Sequence, residues 1–335
     1  MSTPLSLGDA VDLTDLAIQK IFLKQSKIEK TTYYDKYFNK VTGVTDYYSK
    51  DSSLSGLGKA ARITENAVIT SEVPVQGYDK TYTQVEYGKL MPVTKQMWKF
   101  GIKKRDLERV VQALISACER KRESLCAARL DNGFGTSYTE VDDSGNYTVS
   151  TTGGDGAAAF SASHTREDGG TNWNNIVTDG TDTNMDFEYD AIKAVYRTAS
   201  LIKDPKGVDM DINPNLFIFK KGTANYFRAR EIRGAVRAGG KSSIPNSANN
   251  DAAGIDDFEI LALPWIETNT AYWFALDTSM KNDEYGFQYK ESQGIQLEGP
   301  NVVFKTGEMQ YKATMMFDIG HNDARNLQGS KNDNS

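Results

Sequence analysis

The sequence predicts an α+β fold, and three observations carry that expectation. Residues 62–98 form a Thr- and Val-rich run that alternates apolar and polar side chains, as in Val68-Ile69-Thr70-Ser71-Glu72-Val73 and Tyr82-Thr83-Gln84-Val85-Glu86-Tyr87. The run leads into an amphipathic helix over 104–130, where Leu107, Val110, Val111, Leu114, Cys118, Leu125 and Ala128 recur at three- and four-residue spacing. The C-terminal half carries short apolar runs such as Leu216-Phe217-Ile218-Phe219, without the regular βαβ alternation of a doubly wound sheet.

Residues 1–50 read as an arm. Leu13, Leu16, Ala17, Ile21 and Ile28 predict one amphipathic helix, with Asp12 or Thr14 as its cap. Tyr33, Tyr34, Tyr37, Phe38, Tyr47 and Tyr48 then crowd rings into a polar segment. Tyrosine joins apolar area to a polar tip, so these rings either meet another subunit or pack on the chain's own body. Residues 51–61 form a Ser/Gly linker. The ribbon at 62–98 reads as two strands joined near Val75-Gln76-Gly77-Tyr78, with Gly77 and Asp79 as turn residues. It brings no second apolar layer of its own, which makes sense if another copy of the chain covers it.

Between Lys99 and Arg129, nine Lys or Arg stand against four Asp or Glu, and Asp131-Asn132-Gly133 ends the helix. Residues 131–185 are rich in Gly, Thr, Ser, Asp and Asn, with one short hairpin expected around Tyr147-Thr148-Val149. A second helix is predicted over 187–203 with Asp186 as its cap. A strand at 216–219, a helix at 223–232 and a flexible tip at 234–254 follow. Strands at 258–263, 272–276, 285–297 and 302–317 complete the chain.

The chain's 335 residues allow one large domain or two. With 39% hydrophobic residues and a mean hydropathy of -0.53, it is expected to be soluble with a sizeable core. No apolar run approaches the roughly 20 residues that span a bilayer. Met1-Ser2-Thr3-Pro4 lacks the charged start and apolar core of a secretory signal. A net charge of -6 argues against a dedicated nucleic-acid binder. Cys118 and Cys126 both fall on the predicted helix, so a disulfide framework is not expected and an intracellular origin with free thiols fits.

No set of residues spells out a catalytic, cofactor or metal site. His164 and His321 are the only histidines, zinc spacing is lacking, and both are expected to be structural. Gly239-Gly240-Lys241-Ser242 resembles the end of a phosphate-binding loop, but position 235 is Ala235 where the motif needs Gly. Asp182 to Asp186 resembles the start of a calcium loop, but Phe187 and Lys193 stand where Gly and Glu belong. The basic stretches Lys103-Lys104-Arg105, Arg120-Lys121-Arg122 and Arg228 to Arg237 could contact phosphates. Glu108, Glu119 and Glu123 among them favour ion pairing instead.

Four segments add a resemblance. They are Ala159-Phe160-Ser161-Ala162-Ser163-His164-Thr165 with Gly169-Gly170 and Asn174-Asn175; Asp211-Ile212-Asn213-Pro214-Asn215-Leu216-Phe217-Ile218; Phe258-Glu259-Ile260-Leu261 through Tyr272-Trp273-Phe274-Ala275; and Phe317 to Arg325. In that order, after an arm, a ribbon and a charged helix, they resemble the major capsid proteins of tailed bacteriophages with the HK97 fold, Mu-like head subunits nearest. The likeness spans most of the chain from 62 onward.

The resemblance implies a division into parts. Residues 1–50 would be the N-terminal arm and 51–98 an extended β-hairpin loop lying over a neighbour. Residues 99–203 would be a peripheral domain with the spine helix 104–130 and a Gly-rich insertion at 131–185. Residues 204–284 would be an axial domain whose tip at 234–254 lies near the capsomer centre, and 285–335 would return to the peripheral domain. The implied function is a major head protein that assembles into hexamers and pentamers of an icosahedral shell around packaged double-stranded DNA. It would reside in the virion after assembly in the host cytoplasm. An encapsulin-type compartment shell is the alternative on the same fold, and a soluble α+β hydrolase using His164 or His321 the alternative outside it.

The implied partners are further copies of the chain, a portal protein at one vertex, a decoration protein and DNA held by non-specific contact, with no membrane. A separate scaffolding protein is expected because an arm of about fifty residues is too short for a fused scaffolding domain. Candidate inter-subunit contacts are Tyr33, Tyr34 and Tyr37 in the arm; Arg62, Glu65, Val75, Tyr78, Lys80 and Tyr82 in the ribbon; Arg120, Lys121 and Arg122 on the helix; and Arg237 and Lys241 at the axial tip. Deleting 66–90 is expected to leave a folded subunit that builds no stable shell.

Overall fold

The computed structural model describes residue 20 and residues 32–54, 56–60, 62–63, 68–69, 71–74, 76–94, 104–237, 255–282 and 284–333. The expected arm helix, apart from Lys20, lies outside these residues, as do Glu65, Val75 and the segment 238–254 with Lys241.

The helix expected at 104–130 is α2 (Lys104–Asp131), which follows a single turn, α1 (Tyr34–Tyr37). Alpha2 lies on a four-stranded sheet in the order β1 (Phe38–Thr42), β10 (Phe287–Val303), β11 (Glu308–His321) and β4 (Val85–Val93). Strand β1 runs parallel to β10, and the other two pairings are antiparallel. The helix brings its apolar stripe to this sheet. Val111 and Ile115 join Val93, Met309 and Tyr311 in one buried cluster, while Leu114, Cys118 and Leu125 join Tyr289, Ala313 and Phe317 in another. Burying such side chains contributes about 1.5–3 kcal/mol each. The Asn132 N–H closes the helix on the Ala128 carbonyl at 3.0 Å.

A second sheet has the order β12 (Leu327–Ser330), β9 (Trp273–Leu276), β7 (Leu216–Lys220) and β8 (Glu259–Leu263). Helices α3 (Tyr189–Leu201) and α4 (Ala224–Arg237) cover one face, where Phe187, Val195 and Ile232 pack on Phe217, Phe219 and Trp273. The other face, with Ile218, Leu261 and Phe274, joins Phe160 and Leu130 in the larger cluster that also reaches the first sheet. Apolar side chains on both faces explain why β7 reads Leu-Phe-Ile-Phe rather than as an alternation. The expected cap Asp186 does not cap α3. Glu188 holds that position with extended backbone and no side-chain cap bond.

Two hairpins complete the fold: β2 (Tyr48–Leu54) with β3 (Gln76–Thr83), and β5 (Ser137–Asp142) with β6 (Gly145–Ser150). The first corrects the ribbon expected at 62–98. Gly77 and Asp79 lie inside strand β3, not in a turn, and β3 pairs with β2, from a segment expected to be arm and linker. Gly77 is needed because a Cβ there would collide with the Ser53 hydroxyl across the hairpin. The other half of the expected ribbon, β4, is the edge strand of the body sheet, paired with β11 from Met309↔Val93 to Phe317↔Val85. The apolar layer missing from the ribbon's own sequence is therefore supplied, for β4, by α2 of the same chain.

Candidate assembly surface

The β2–β3 hairpin leaves the body at a polar root. Lys290 on β10 forms an ion pair with Asp51 on β2, donates to Ser49 Oγ at 3.1 Å and stands 4.4 Å from the Tyr82 ring centroid. Lys80 Nζ donates to the Thr152 carbonyl at 2.7 Å, and the Thr83 N–H donates to Asp318 Oδ2 at 2.8 Å. The Tyr78 hydroxyl meets Thr165 Oγ1 at 2.8 Å, and Asn322 Nδ2 donates to the Tyr78 carbonyl at 3.3 Å. Gly154 fits against the root because a Cβ there would strike Asn322 and Tyr78.

Behind the root lies a buried cluster drawn from the insertion and the chain's end. His164 Nδ1 is 2.7 Å from Asp155, its Nε2 is 3.2 Å from Asn175 Oδ1, and its ring stacks on Trp173 at 4.1 Å. Arg325, 5.4 Å from the Trp173 ring, pairs with Glu167 at 2.9 Å and with Asp323, and donates from Nε to the Lys203 carbonyl at 2.9 Å. Burial pushes the Asp323 carboxyl up to about 6 while Arg325 pulls against it. Burial also drives His321 down to about 3, with the charges of Lys80 and Arg129 adding to the shift, so this ring is neutral at pH 7. Burial opposes ionisation of Asp155, yet the His164 hydrogen bond holds its carboxyl below the usual range.

Beyond Leu54 and Gln76 the hairpin carries a loop with little cover from the body. Val68 is 92% exposed, Val73 75% and Ile69 72%, and Leu54, Leu57 and Ile63 are exposed as well. Among the described residues, Glu72 accepts from the Gly58 N–H at 2.9 Å within the loop and ties it to the body by pairing with Lys206 at 3.0 Å.

The candidate contacts divide on this geometry. Arg62 lies exposed in the loop, and Tyr78 sits half-buried at the root. Arg120 faces solvent on α2. Tyr34, Tyr37 and Tyr82 are corrected: each is at most 1% exposed within the chain itself and has no surface to offer a neighbour. Tyr34 packs on Tyr289 at 4.8 Å, and Tyr37 on Phe38 at 5.0 Å. Tyr33 is partly buried against Trp265 at 5.4 Å. Residues 34–42 thus belong to the body, pinned where Glu123 accepts the backbone N–H groups of Tyr33 and Tyr34 at 3.0 and 3.2 Å.

Lys80, Lys121 and Arg122 are also engaged internally. Lys121 pairs with Glu140 at 2.7 Å and Asp142 at 3.5 Å, fastening the β5–β6 hairpin to α2, and the Arg122 guanidinium lies 4.7 Å from the Tyr34 ring. Ion pairing was expected for these bases, but the acids of the Lys121 pair come from the hairpin. Arg237 ends α4, and its side chain, like Glu65, Val75 and Lys241, falls outside the described residues. Sequence reasoning missed Asp51 with Lys290 and Arg325 with Glu167 and Asp323. The Lys290–Asp51 and Arg325–Glu167 pairs each span more than 150 residues, which no local pattern announces, whereas Asp323 lies two positions from Arg325.

Among the described residues no cluster of His, Cys, Asp and Glu could hold a metal ion, and no helix is long and apolar enough to cross a membrane. Cys118 and Cys126 are buried free thiols, and burial raises the pKa of both.

A model of the family described as phage capsid protein matches residues 77–328, well over half of the chain. The chain belongs to the phage capsid protein family. It is a major capsid shell protein of the virion. Its α+β architecture is consistent with the HK97-type capsid fold. The chain is similar to one of Mycobacterium phage Adephagia, with 12% identity, 98% of each chain covered and a TM-score of 0.49. It is also similar to a chain from the capsid of an empty GTA particle, with 13% identity over 90% of this chain and 89% of that one and a TM-score of 0.49. For a chain from the procapsid of bacteriophage JBD30 the values are 12%, 97%, 76% and 0.46. These likenesses are distant, and the family assignment rests on the match over 77–328. Nothing in them singles out Mu-like head subunits, and a compartment shell or a hydrolase is not favoured. Comparison with curated proteins finds no match.

Proposed function

We propose that this capsid protein builds hexamers and pentamers of a closed shell around packaged double-stranded DNA, and that the β2–β3 hairpin is the arm by which each subunit grips the next. The observation that carries this reading is the projecting loop, whose apolar side chains stand in solvent while its root is fixed by Lys290, Lys80 and Asp318. Identical head-to-tail contacts close into rings, and many small copies of one contact make a stable shell. In this reading the extended loop is 48–83, shorter and earlier than 51–98. The peripheral domain holds α2 and the β1-β10-β11-β4 sheet, and the axial domain holds the β12-β9-β7-β8 sheet with α3 and α4.

The loop, Arg62 and Arg120 are the contact surfaces this reading selects. A separate scaffolding protein, a portal at one vertex and a decoration protein are the further partners, and assembly takes place in the host cytoplasm. DNA contact is non-specific, through exposed bases such as Arg120. The subunit performs no catalysis in this account: His164 is held by Asp155, Asn175 and Trp173, and His321 is buried and neutral. Electron microscopy of the purified full chain, alone and with co-expressed phage proteins, tests the reading. Closed shells are expected, and a protein that stays monomeric under all assembly conditions contradicts it.

A further inference from the structure

Strand β8 ends the second sheet, and among the described residues it pairs only with β7, in parallel register from Leu216↔Glu259 to Lys220↔Leu263. The Glu259 N–H donates to the Asn215 carbonyl at 2.7 Å, and the Lys221 N–H donates to the Leu263 carbonyl at 3.0 Å. Backbone groups alternate in direction along a strand, so residues 259, 261 and 263 face β7 and the N–H and C=O groups of Ile260 and Ala262 point out of the sheet. They open into a cleft of about 500 Å³ lined by Tyr226, Arg230, Arg233, Gly234, Ile260 and Ala262. Tyr226 and Ile260, both partly buried against the core under α4, give the cleft an apolar wall. Arg230 is exposed with its guanidinium 5.8 Å from the Tyr226 ring, and Arg233 is anchored to Asp257 through Nε at 3.2 Å.

An unpaired strand edge invites another strand. Here the edge is flanked by an apolar wall and two guanidinium groups. That chemistry fits an extended peptide that pairs main chain to main chain, lays apolar side chains on Tyr226 and Ile260, and offers carboxylates to the arginines.

We propose that this cleft receives, as an added strand, the N-terminal segment of a neighbouring copy of this chain. The inference rests on the reading of the protein as a shell subunit. Residues 1–19 contain Asp9, Asp12 and Asp15 and neither Lys nor Arg, a charge opposite to that of the cleft. Leu5, Leu7 and Val11 supply apolar side chains at alternate positions of the same face. The roughly 20 residues between Val11 and Thr32 reach about 70 Å when extended, and about 40 Å with 13–28 helical.

The test uses two full-length proteins, one carrying Leu7→Cys and the other Ala262→Cys, mixed under assembly conditions and oxidised. The native thiols are buried. A covalent dimer is expected in the mixture and in neither protein alone. Its yield should fall about tenfold when the second protein also carries Arg230→Glu and Arg233→Glu, and recover when the first also carries Asp9→Lys and Asp12→Lys. Shells are scored separately by electron microscopy. Shells without the covalent dimer overturn this proposal and leave the capsid reading intact, whereas loss of both overturns both. A dimer yield insensitive to the charge reversals also overturns it. So does a chain carrying Ser247→Cys and Ala262→Cys that closes a disulfide within one copy in preference, since its own 238–254 segment then fills the cleft.

Discussion

The β12-β9-β7-β8 sheet and the β2–β3 hairpin are both made of strands, but they solve the problem of their apolar side chains differently. In the sheet, Phe217, Phe219 and Trp273 turn to α3 and α4, while Ile218, Leu261 and Phe274 turn to the central core, so these apolar side chains on both faces are covered by the same chain. In the hairpin only Tyr82 and Ser53 are buried among the strand residues, and the loop beyond them leaves Val68, Ile69 and Val73 in solvent. The first region is a folding unit. The second is attached by polar contacts at its root, and in the proposed reading a neighbouring copy covers it. Stability and assembly are therefore expected to separate along this line.

The largest effects should come from the closed region. Trp273→Ala removes a fully buried ring whose Nε1 donates to the Met185 carbonyl at 3.0 Å. It should cost about 3–5 kcal/mol, read as a lower urea midpoint. Arg325→Met leaves Glu167 and Asp323 as buried carboxylates without their cation. A loss of about 3–5 kcal/mol at pH 7 is expected, partly recovered near pH 5 as the Asp323 carboxyl takes up a proton. An Arg325→Met midpoint equal to that of the parent protein at pH 7 would mean the cluster does not hold the insertion to the chain's end.

A pH experiment sharpens the same contrast. His321 is neutral in the fold down to about pH 3, while in the unfolded chain it takes a proton below about 6.5. The unfolded state therefore binds more protons in that window, and the fold loses stability as pH falls from 6.5 towards 3. His321→Gln removes this term. Between pH 7 and pH 5 the parent protein should lose about 2 kcal/mol more than the variant in urea unfolding. Equal losses would place the ring in contact with water.

At the small end stands Lys89→Ala. Its pair with Asp143 links β4 to the β5–β6 hairpin, but both side chains are more than half exposed. Solvent screening leaves such pairs little influence, so the thermal midpoint should not move measurably.

Local periodicity made much of the body legible. The stripe of α2 appears in the sequence at three- and four-residue spacing because one helix face meets one sheet, and the buried run of β7 announces a strand covered on both sides. Long-range pairing was not legible. Val85–Val93 has the pattern of a ribbon strand, and only its register with Met309–Phe317 shows that it belongs to the body. Gly77 resembles a turn residue because turns and close strand approaches both require the absence of a Cβ. Tyr34 and Tyr37 look like contact residues because a ring in a polar segment reads the same whether Tyr289 or a neighbour covers it. For the hairpin, the sequence pattern hid the pairing of β3 with β2 at its base. Deleting 66–90 would remove all of β3 and β4 from Val85 to Leu90, and so is now expected to damage the fold itself.

The central claim is that the loop between Leu54 and Gln76 serves assembly and not folding. Replacing residues 56–74 of the full chain by a short Gly/Ser turn keeps β2, β3 and the root contacts of Lys290, Lys80 and Tyr78. Urea unfolding and electron microscopy on this one protein test the claim together. The account predicts an unfolding midpoint unchanged from the parent and no closed shells. A midpoint collapse, or shells as abundant and stable as those of the parent protein, would contradict it.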